Sequence, residues 1–138
     1  MEFVRVRTER PEADLTTPIT DGEASAMFRA AINLFEKWDV KDNEAAVLLD
    51  TTSRTFSRWK TNRAIGTVGR DFKTRLSNLM GVHVGLRYLF KEPERGYRWV
   101  KSPNAVFGGR SALDVMMNGE VADIIRVRRY LDAERSPW

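Results

Sequence analysis

From residue 21 onward, apolar side chains recur at the spacing of an α-helix through almost the whole chain. The first long run follows offsets of three and four residues, as an amphipathic helix does, and predicts a helix from about residue 21 to 39. Its members are Met27, Ala30, Ala31, Leu34, Phe35 and Trp38. Similar runs predict a short helix over 43–49, a long one over 68–90 and a last one over 120–134. The expected fold class is therefore all-α.

The ten residues 51–60, T-T-S-R-T-F-S-R-W-K, predict a short helix with two different faces. Thr51 or Thr52 is suitable as its N-cap. Two aromatic residues spaced three apart share one face, and two arginines spaced four apart share another. These pairs are Phe56 with Trp59 and Arg54 with Arg58. We expect the aromatic face to be buried and the arginine face to point towards phosphates and base edges.

A helix-turn-helix arrangement is predicted from the order of these elements. The short helix over 43–49, for which Asp42 is a suitable cap, is followed by a tight turn and then by the basic helix. Its small alanines allow two helices to cross closely. Asp50 lies where such turns often have glycine, and aspartate tolerates the left-handed conformation that the turn requires.

The long helix and the last third of the chain contain further local signals. Gly81 and Gly85 interrupt the long helix, which indicates either close approach of another backbone or a kink. A short helix over 94–100 is ended by Ser-Pro-Asn, and residues 107–110 form a tight loop. Ser111 with Asp114 three residues later resembles a capping box that opens the next helix.

The charge is concentrated in one segment. The net charge of the chain is +4, but residues 51–75 contain seven basic residues and a single acid, Asp71, a balance of +6. A basic segment on a helical pair points to nucleic acid, although a solvated surface is an alternative explanation. The DNA-binding candidates are Thr52, Ser53, Arg54, Ser57, Arg58, Lys60, Arg63 and Arg70. A degenerate helix-turn-helix that serves only as scaffold remains the alternative.

Several classes of function are excluded or disfavoured. The chain has no cysteine, which excludes disulfides and thiol chemistry. His83, the single histidine, has no second histidine or cysteine with which to share a metal, and no residue set forms a catalytic centre. No apolar run approaches the roughly 20 residues that span a bilayer. We therefore expect no enzyme activity, cofactor, metal, small-molecule substrate or membrane association.

The run Y-R-W-V-K-S-P-N-A-V-F-G-G-R-S-A-L-D-V-M-M-N-G-E-V, residues 97–121, resembles the toxin-binding domain of Xre/MbcA/ParS-like antitoxins. The matching motif residues are Trp99, Pro103, Asn104, Gly108, Gly109, Ser111, Leu113, Asp114 and Gly119. The upstream helix-turn-helix also resembles this family, so the likeness covers residues 22–132. Ala112 departs from the pattern, since the family usually has proline there.

This resemblance implies a bacterial, cytoplasmic antitoxin encoded beside a toxin. The partner it implies is a RES-domain toxin, which consumes or transfers from NAD and whose active site the antitoxin covers. It also implies a homodimer and a complex that binds its own promoter, so operator DNA is a second expected partner.

Three segments are expected: an N-terminal arm over 1–20, a helix-turn-helix domain over 21–80, and a toxin-binding domain over 81–138 that includes a C-terminal tail. Arginine and large aromatics dominate the energy of protein interfaces. The toxin-binding candidates are accordingly Arg126, Arg129, Tyr130, Arg135 and Trp138. We expect the last helix or the tail to enter the NAD cleft of the toxin; the alternative is a disordered end without a role.

The expected function is that of a type II antitoxin that occludes its toxin and represses its own operon. Two alternatives stay open at this point. One is a stand-alone helix-turn-helix regulator whose C-terminal part only dimerises. The other is an adaptor without a DNA role.

Overall fold

The computed structural model describes residues 18–135, and this part of the chain contains seven α-helices and no strand. The helices are α1 (Asp21–Lys37), α2 (Asp42–Leu48), α3 (Ser53–Asn62), α4 (Arg70–Leu89), α5 (Pro93–Lys101), α6 (Ala112–Met116) and α7 (Val121–Arg135), with a 3-10 turn at Ala105–Phe107 before α6. The all-α expectation is confirmed. Most of the expected arm over 1–20 lies outside the described residues. Among the described helices, none is long and apolar enough to cross a membrane.

Helix α1 begins at a capping box. The backbone N–H of Glu23 donates to the hydroxyl of Thr20 (3.1 Å), and the N–H of Thr20 donates to the Glu23 carboxylate (2.9 Å). The buried side chains of α1 and its C-cap are Ala24, Phe28, Ala31, Ile32, Leu34, Phe35 and Trp38. Ala30, expected on this face, is exposed instead. The buried stripe is therefore wider than predicted on the side of Phe28 and Ile32.

Helices α2 and α3 form the predicted helix-turn-helix. Asp50 in the connecting turn has φ = 54°, the left-handed conformation expected for it. Thr52, rather than Thr51, is the N-cap of α3, and its hydroxyl accepts from the N–H of Thr55 (3.0 Å). Helix α3 runs two residues beyond Lys60 and ends where the backbone turns left-handed.

Helix α7 packs alongside α4 in a parallel orientation. Arg128 lies against Gly81, and Leu131 lies against Gly85. A Cβ on Gly81 would overlap the Arg128 guanidinium, and one on Gly85 would lie 2.9 Å from Cβ of Leu131. The two glycines therefore admit a neighbouring helix, and α4 continues through both of them. The expected domain division at residues 80 and 81 falls inside α4.

A single hydrophobic core runs through both ends of α4. Phe72 and Leu76 pack with the helix-turn-helix part, and Leu86 packs with the C-terminal part. The buried hydrophobic residues that follow α4 are Val100, Phe107, Ala112, Leu113, Val115, Met116, Ile124, Val127 and Leu131. Helix α4 is thus the shared support of the two parts.

We expect Gly85→Val to lower the free energy of unfolding by about 1–3 kcal/mol, because the new side chain overpacks the α4–α7 contact. The atom in its way is the Cβ of Leu131, so the backbone of α7 itself must move. Urea denaturation measures the effect. Gly66→Val is the matched control, since a Cβ at Gly66 meets nothing within 4 Å. Equal unfolding free energies for the two variants would contradict the close-packing explanation.

Candidate nucleic-acid and protein interfaces

Aromatic side chains hold one face of α3 against the rest of the protein. Phe56 is buried and lies edge-on to Phe28 (ring centroids 6.0 Å) and near Phe35 (6.1 Å). Trp59 is half-buried and meets the ring of Phe72 edge-on at 5.4 Å. These contacts fix the rotation of α3 about its own axis. Its opposite face is therefore held outward.

That opposite face carries polar and basic side chains. Ser53, Arg54, Ser57 and Arg58 are all exposed. Within residues 18–135, neither arginine forms an ion pair with a carboxylate. Like charges four residues apart on a helix disfavour it slightly, and an anion against this face reverses the effect. The geometry suits contact with a polyanion.

The basic segment is less exposed than its charge suggests. Lys60 pairs with Asp42 (2.9 Å) and Lys73 with Asp21 (3.1 Å). Arg75, which contributes to the charge balance of the segment, is only 4% exposed. Because it is buried, Arg75 adds no charge to the exposed surface of this segment. Of the candidates beyond α3, Arg63 and Arg70 are exposed and, in the described part of the chain, form no ion pair.

Arg75 instead joins three parts of the fold. Its Nε–H donates to Asp71 (2.7 Å), and its terminal nitrogens donate to the backbone carbonyls of Leu48 (3.1 Å) and Gly119 (2.8 Å). Leu48 is the last residue of α2, and Gly119 belongs to the turn before α7. This role of Arg75 was not predicted from the sequence. The spacing of Asp71 and Arg75, four residues apart on a helix, is the only local signal for it.

The Pro-Asn and Gly-Gly motif residues close a compact loop before α6. The N–H of Asn104 donates to the carbonyl of Arg110 (3.1 Å), and the carbonyl of Asn104 accepts from the N–H of Gly109 (2.9 Å). Gly108 and Gly109 have φ of 69° and 88°, a region that favours glycine. The tight loop expected over residues 107–110 is confirmed.

The predicted capping box opens α6. The N–H of Asp114 donates to the hydroxyl of Ser111 (3.0 Å), and the N–H of Ser111 donates to the Asp114 carboxylate (3.3 Å). Leu113 between them is buried, while Pro103 at the start of the motif is exposed. Gly119, the last motif residue, has φ = 96° and offers its carbonyl to Arg75. The motif residues thus shape the turns around α6.

A cluster of aromatic rings joins α5, the 3-10 turn and α7. Trp99 and Tyr130 lie parallel with ring centroids 6.1 Å apart, and Phe107 meets Tyr130 edge-on at 5.6 Å. The guanidinium of Arg126 lies over the Phe107 ring at 5.4 Å. Trp99 and Tyr130 are half-buried and Arg126 is exposed, so the cluster has an outer surface.

The toxin-binding candidates on α7 do not form one surface. Arg126 and Tyr130 lie on the flank that faces α5. Arg135 lies on the opposite flank, over the ring of Tyr88 on α4 at 4.4 Å. Arg129 points away from the core and is exposed. Trp138, the fifth candidate, lies outside the described residues.

Helix α4 exposes an apolar strip next to Arg135. Val84 is 44% and Tyr88 74% exposed, and together with His83 and Arg87 they line a hollow of about 340 Å³. Burial and the charge of Arg87 lower the pKa of His83, which is therefore neutral at pH 7. Its Nδ1 is buried and has no hydrogen-bond partner among residues 18–135. In this same part of the chain, no group of three His, Cys, Asp or Glu side chains could hold a metal ion.

Comparison with known proteins matches both parts of the chain. Residues 18–81 match the antitoxin Xre-like helix-turn-helix domain, and residues 85–136 match the antitoxin Xre/MbcA/ParS C-terminal toxin-binding domain. The uncharacterized protein y4oB of Sinorhizobium fredii (strain NBRC 101917 / NGR234) is 40% identical over 131 residues, which cover 94% of this chain and 95% of that protein.

A similar fold occurs in a chain of the crystal structure of the M. tuberculosis MbcT-MbcA toxin-antitoxin complex. The TM-score is 0.54, and the match covers 82% of this chain and 94% of the other. Sequence identity is 20%, so this similarity concerns the fold.

Proposed function

The chain belongs to the Xre/MbcA/ParS-like antitoxin family, with an Xre-like helix-turn-helix domain and a C-terminal toxin-binding domain, and from this premise we propose that it silences a RES-domain, NAD-consuming toxin. The observation that best supports an antitoxin role is that both domain matches lie on one chain, meet within α4 and share one hydrophobic core. In this proposal inhibition is stoichiometric: the antitoxin covers the toxin's active site and carries out no chemistry itself.

The second part of the proposal is repression of the antitoxin's own operon. Helix α3 would lie in the major groove, with Arg54 and Arg58 towards base edges. The outward direction of this face and the aromatic packing behind it support that arrangement. Hydroxyls and further cations around it would contact phosphates or base edges. These are Thr52, Ser53, Ser57, Lys60, Arg63 and Arg70.

We also propose that the antitoxin is a homodimer. The exposed apolar strip of Val84 and Tyr88 on α4 supports a contact between two copies there. Light scattering across a concentration series measures the molar mass. A mass of one chain throughout that series would reject the dimer.

For the toxin contact, we propose the Arg126 and Tyr130 flank of α7 together with the C-terminal tail. Removing residues 136–138 is expected to restore at least part of the toxin's NAD consumption in the complex, because Trp138 would no longer fill the cleft. The deletion spares α7, which extends to Arg135. An NAD-consumption assay at saturating antitoxin measures the effect. Complete silencing by the shortened chain would contradict the role of the tail. Trp138→Ala distinguishes loss of the tryptophan side chain from loss of the three residues.

Co-expression with the protein of the adjacent open reading frame tests the main proposal. The expected result is a stable complex that leaves NAD intact, beside a free partner that consumes it. No complex, together with tight and salt-dependent binding to the protein's own promoter, would instead support the stand-alone regulator. Complex formation without any DNA affinity would support the adaptor without a DNA role.

A further inference from the structure

Two surface grooves meet at the exposed side of α5, and Arg98 stands between them. The first groove lies between the end of α1 and α5 and has a volume of about 340 Å³. The second lies between the end of α4 and α5, with about 470 Å³. Trp38 and Tyr97 line the first groove, and Phe90 and Trp99 line the second. We call Arg98 with these two grooves the α5 ridge.

The α5 ridge is positively charged. Lys37 and Lys101 border the first groove, Arg95 borders the second, and Arg98 borders both. Lys101 is engaged by Asp39, donating to its backbone carbonyl (2.9 Å) and its carboxylate (3.4 Å).

Unlike Lys101, the two arginines of the ridge have no acidic partner in the described part of the chain. Arg95 and Arg98 are exposed, and within residues 18–135 no carboxylate pairs with either. Glu92 and Glu94, at the start of the same helix, do not pair with them. Two guanidinium groups are therefore presented together beside aromatic walls. Arginine, tryptophan and tyrosine are the residue types enriched at the energetic centres of protein interfaces.

The ridge is continuous with the aromatic cluster on α7. Trp99 lines the second groove on one side and lies parallel to Tyr130 on the other. Arg126, at the edge of that cluster, adds another exposed cation. One surface thus runs from Arg98 across Trp99 to α7, within the part of the chain that matches the toxin-binding domain.

We propose that the α5 ridge receives an acidic segment of the toxin, with carboxylates at Arg95 and Arg98 and an apolar side chain against Trp99. The proposal rests on the antitoxin function proposed above and specifies the chemistry of its partner. Arginine binds a carboxylate through two parallel hydrogen bonds, which gives direction as well as attraction. Half-buried aromatic walls favour a protein segment over a nucleic-acid backbone, because phosphates offer nothing apolar to place against them.

Charge reversal tests the ridge. Arg98→Glu is expected to weaken binding of the purified toxin by at least about 30-fold, as for a residue at the energetic centre of an interface. Arg29→Glu, an exposed reversal on α1, is the matched control and should leave the Kd within about 3-fold of the unchanged protein. Isothermal titration at two salt concentrations gives the Kd values, and the salt dependence should be smaller for Arg98→Glu than for the unchanged protein. Thermal unfolding checks that both variants remain folded.

The possible outcomes distinguish failure of the proposed antitoxin function from failure of the α5 ridge alone. Failure of the unchanged protein to bind the toxin would reject the antitoxin function and the ridge with it. Tight binding by both the unchanged protein and Arg98→Glu would reject the ridge alone. A loss of promoter affinity with an unchanged toxin Kd would assign the ridge to DNA, and so overturn the proposal. Arg98→Lys, which keeps the charge but not the two-pronged geometry, should fall between the unchanged protein and Arg98→Glu.

Discussion

Replacing both Arg54 and Arg58 by alanine is expected to lower affinity for the protein's own promoter DNA by at least about 30-fold, since one good bidentate arginine contact contributes about 1–3 kcal/mol of discrimination. Both side chains are exposed on the outward face of α3, so their loss removes DNA contacts without opening the core. Fluorescence anisotropy with a labelled promoter fragment measures the Kd at fixed salt.

The matched control for this double variant is Arg29→Ala with Lys91→Ala, which removes the same total charge from exposed positions outside α3. If both double variants lose affinity equally, the effect reflects net charge and α3 does not read the DNA. Comparing a promoter fragment with a scrambled one adds a second test. Loss of base contacts should reduce the difference between the two fragments, whereas loss of phosphate contacts should weaken both equally.

Arg75→Met is expected to lower the free energy of unfolding by about 2–4 kcal/mol, because the buried carbonyl of Leu48 and the partly buried carbonyl of Gly119 lose their shared donor. Methionine retains much of the apolar volume, so the loss reports the hydrogen bonds more than a cavity. Urea denaturation gives the value.

Asp71→Asn provides the comparison for Arg75→Met. The Asp71 side chain is 56% exposed, and water can replace much of what it gives to the ion pair. Asp71→Asn should therefore lower the free energy of unfolding by much less than Arg75→Met does. A cost below about 1 kcal/mol for Arg75→Met would show that water satisfies the two carbonyls and that Arg75 is not a structural link.

The helices and the outward direction of the arginine face of α3 could be predicted because their signals are local. Thr52 accepts from a residue three positions away, and Ser111 and Asp114 cap each other over the same distance. The periodicity of α3 likewise separates its aromatic and arginine faces within ten residues. Such features depend on the backbone of one turn, which the sequence specifies directly.

The contacts between helices could not be predicted in the same way. Arg75 bonds to backbone carbonyls 27 and 44 residues away, and the nearby Asp71 indicates an ion pair but neither of these distant partners. Arg126 and Arg135 both look like free cations on α7, yet they lie on opposite flanks. The α5 ridge needs α1, α4 and α5 together, so the pattern of α5 alone did not indicate it.

The close packing of α7 against Gly81 and Gly85 of α4 limits how proteins of this family can exchange their C-terminal parts. Because Gly81 and Gly85 leave room for Arg128 and Leu131 of α7, the last helix of a relative can replace α7 only if its side chains fit against these two glycines. Recombination that brings in a new toxin specificity should therefore tend to carry α4 along with the C-terminal part. Hybrids joined upstream of α4 are expected to fold more often than hybrids joined just after it.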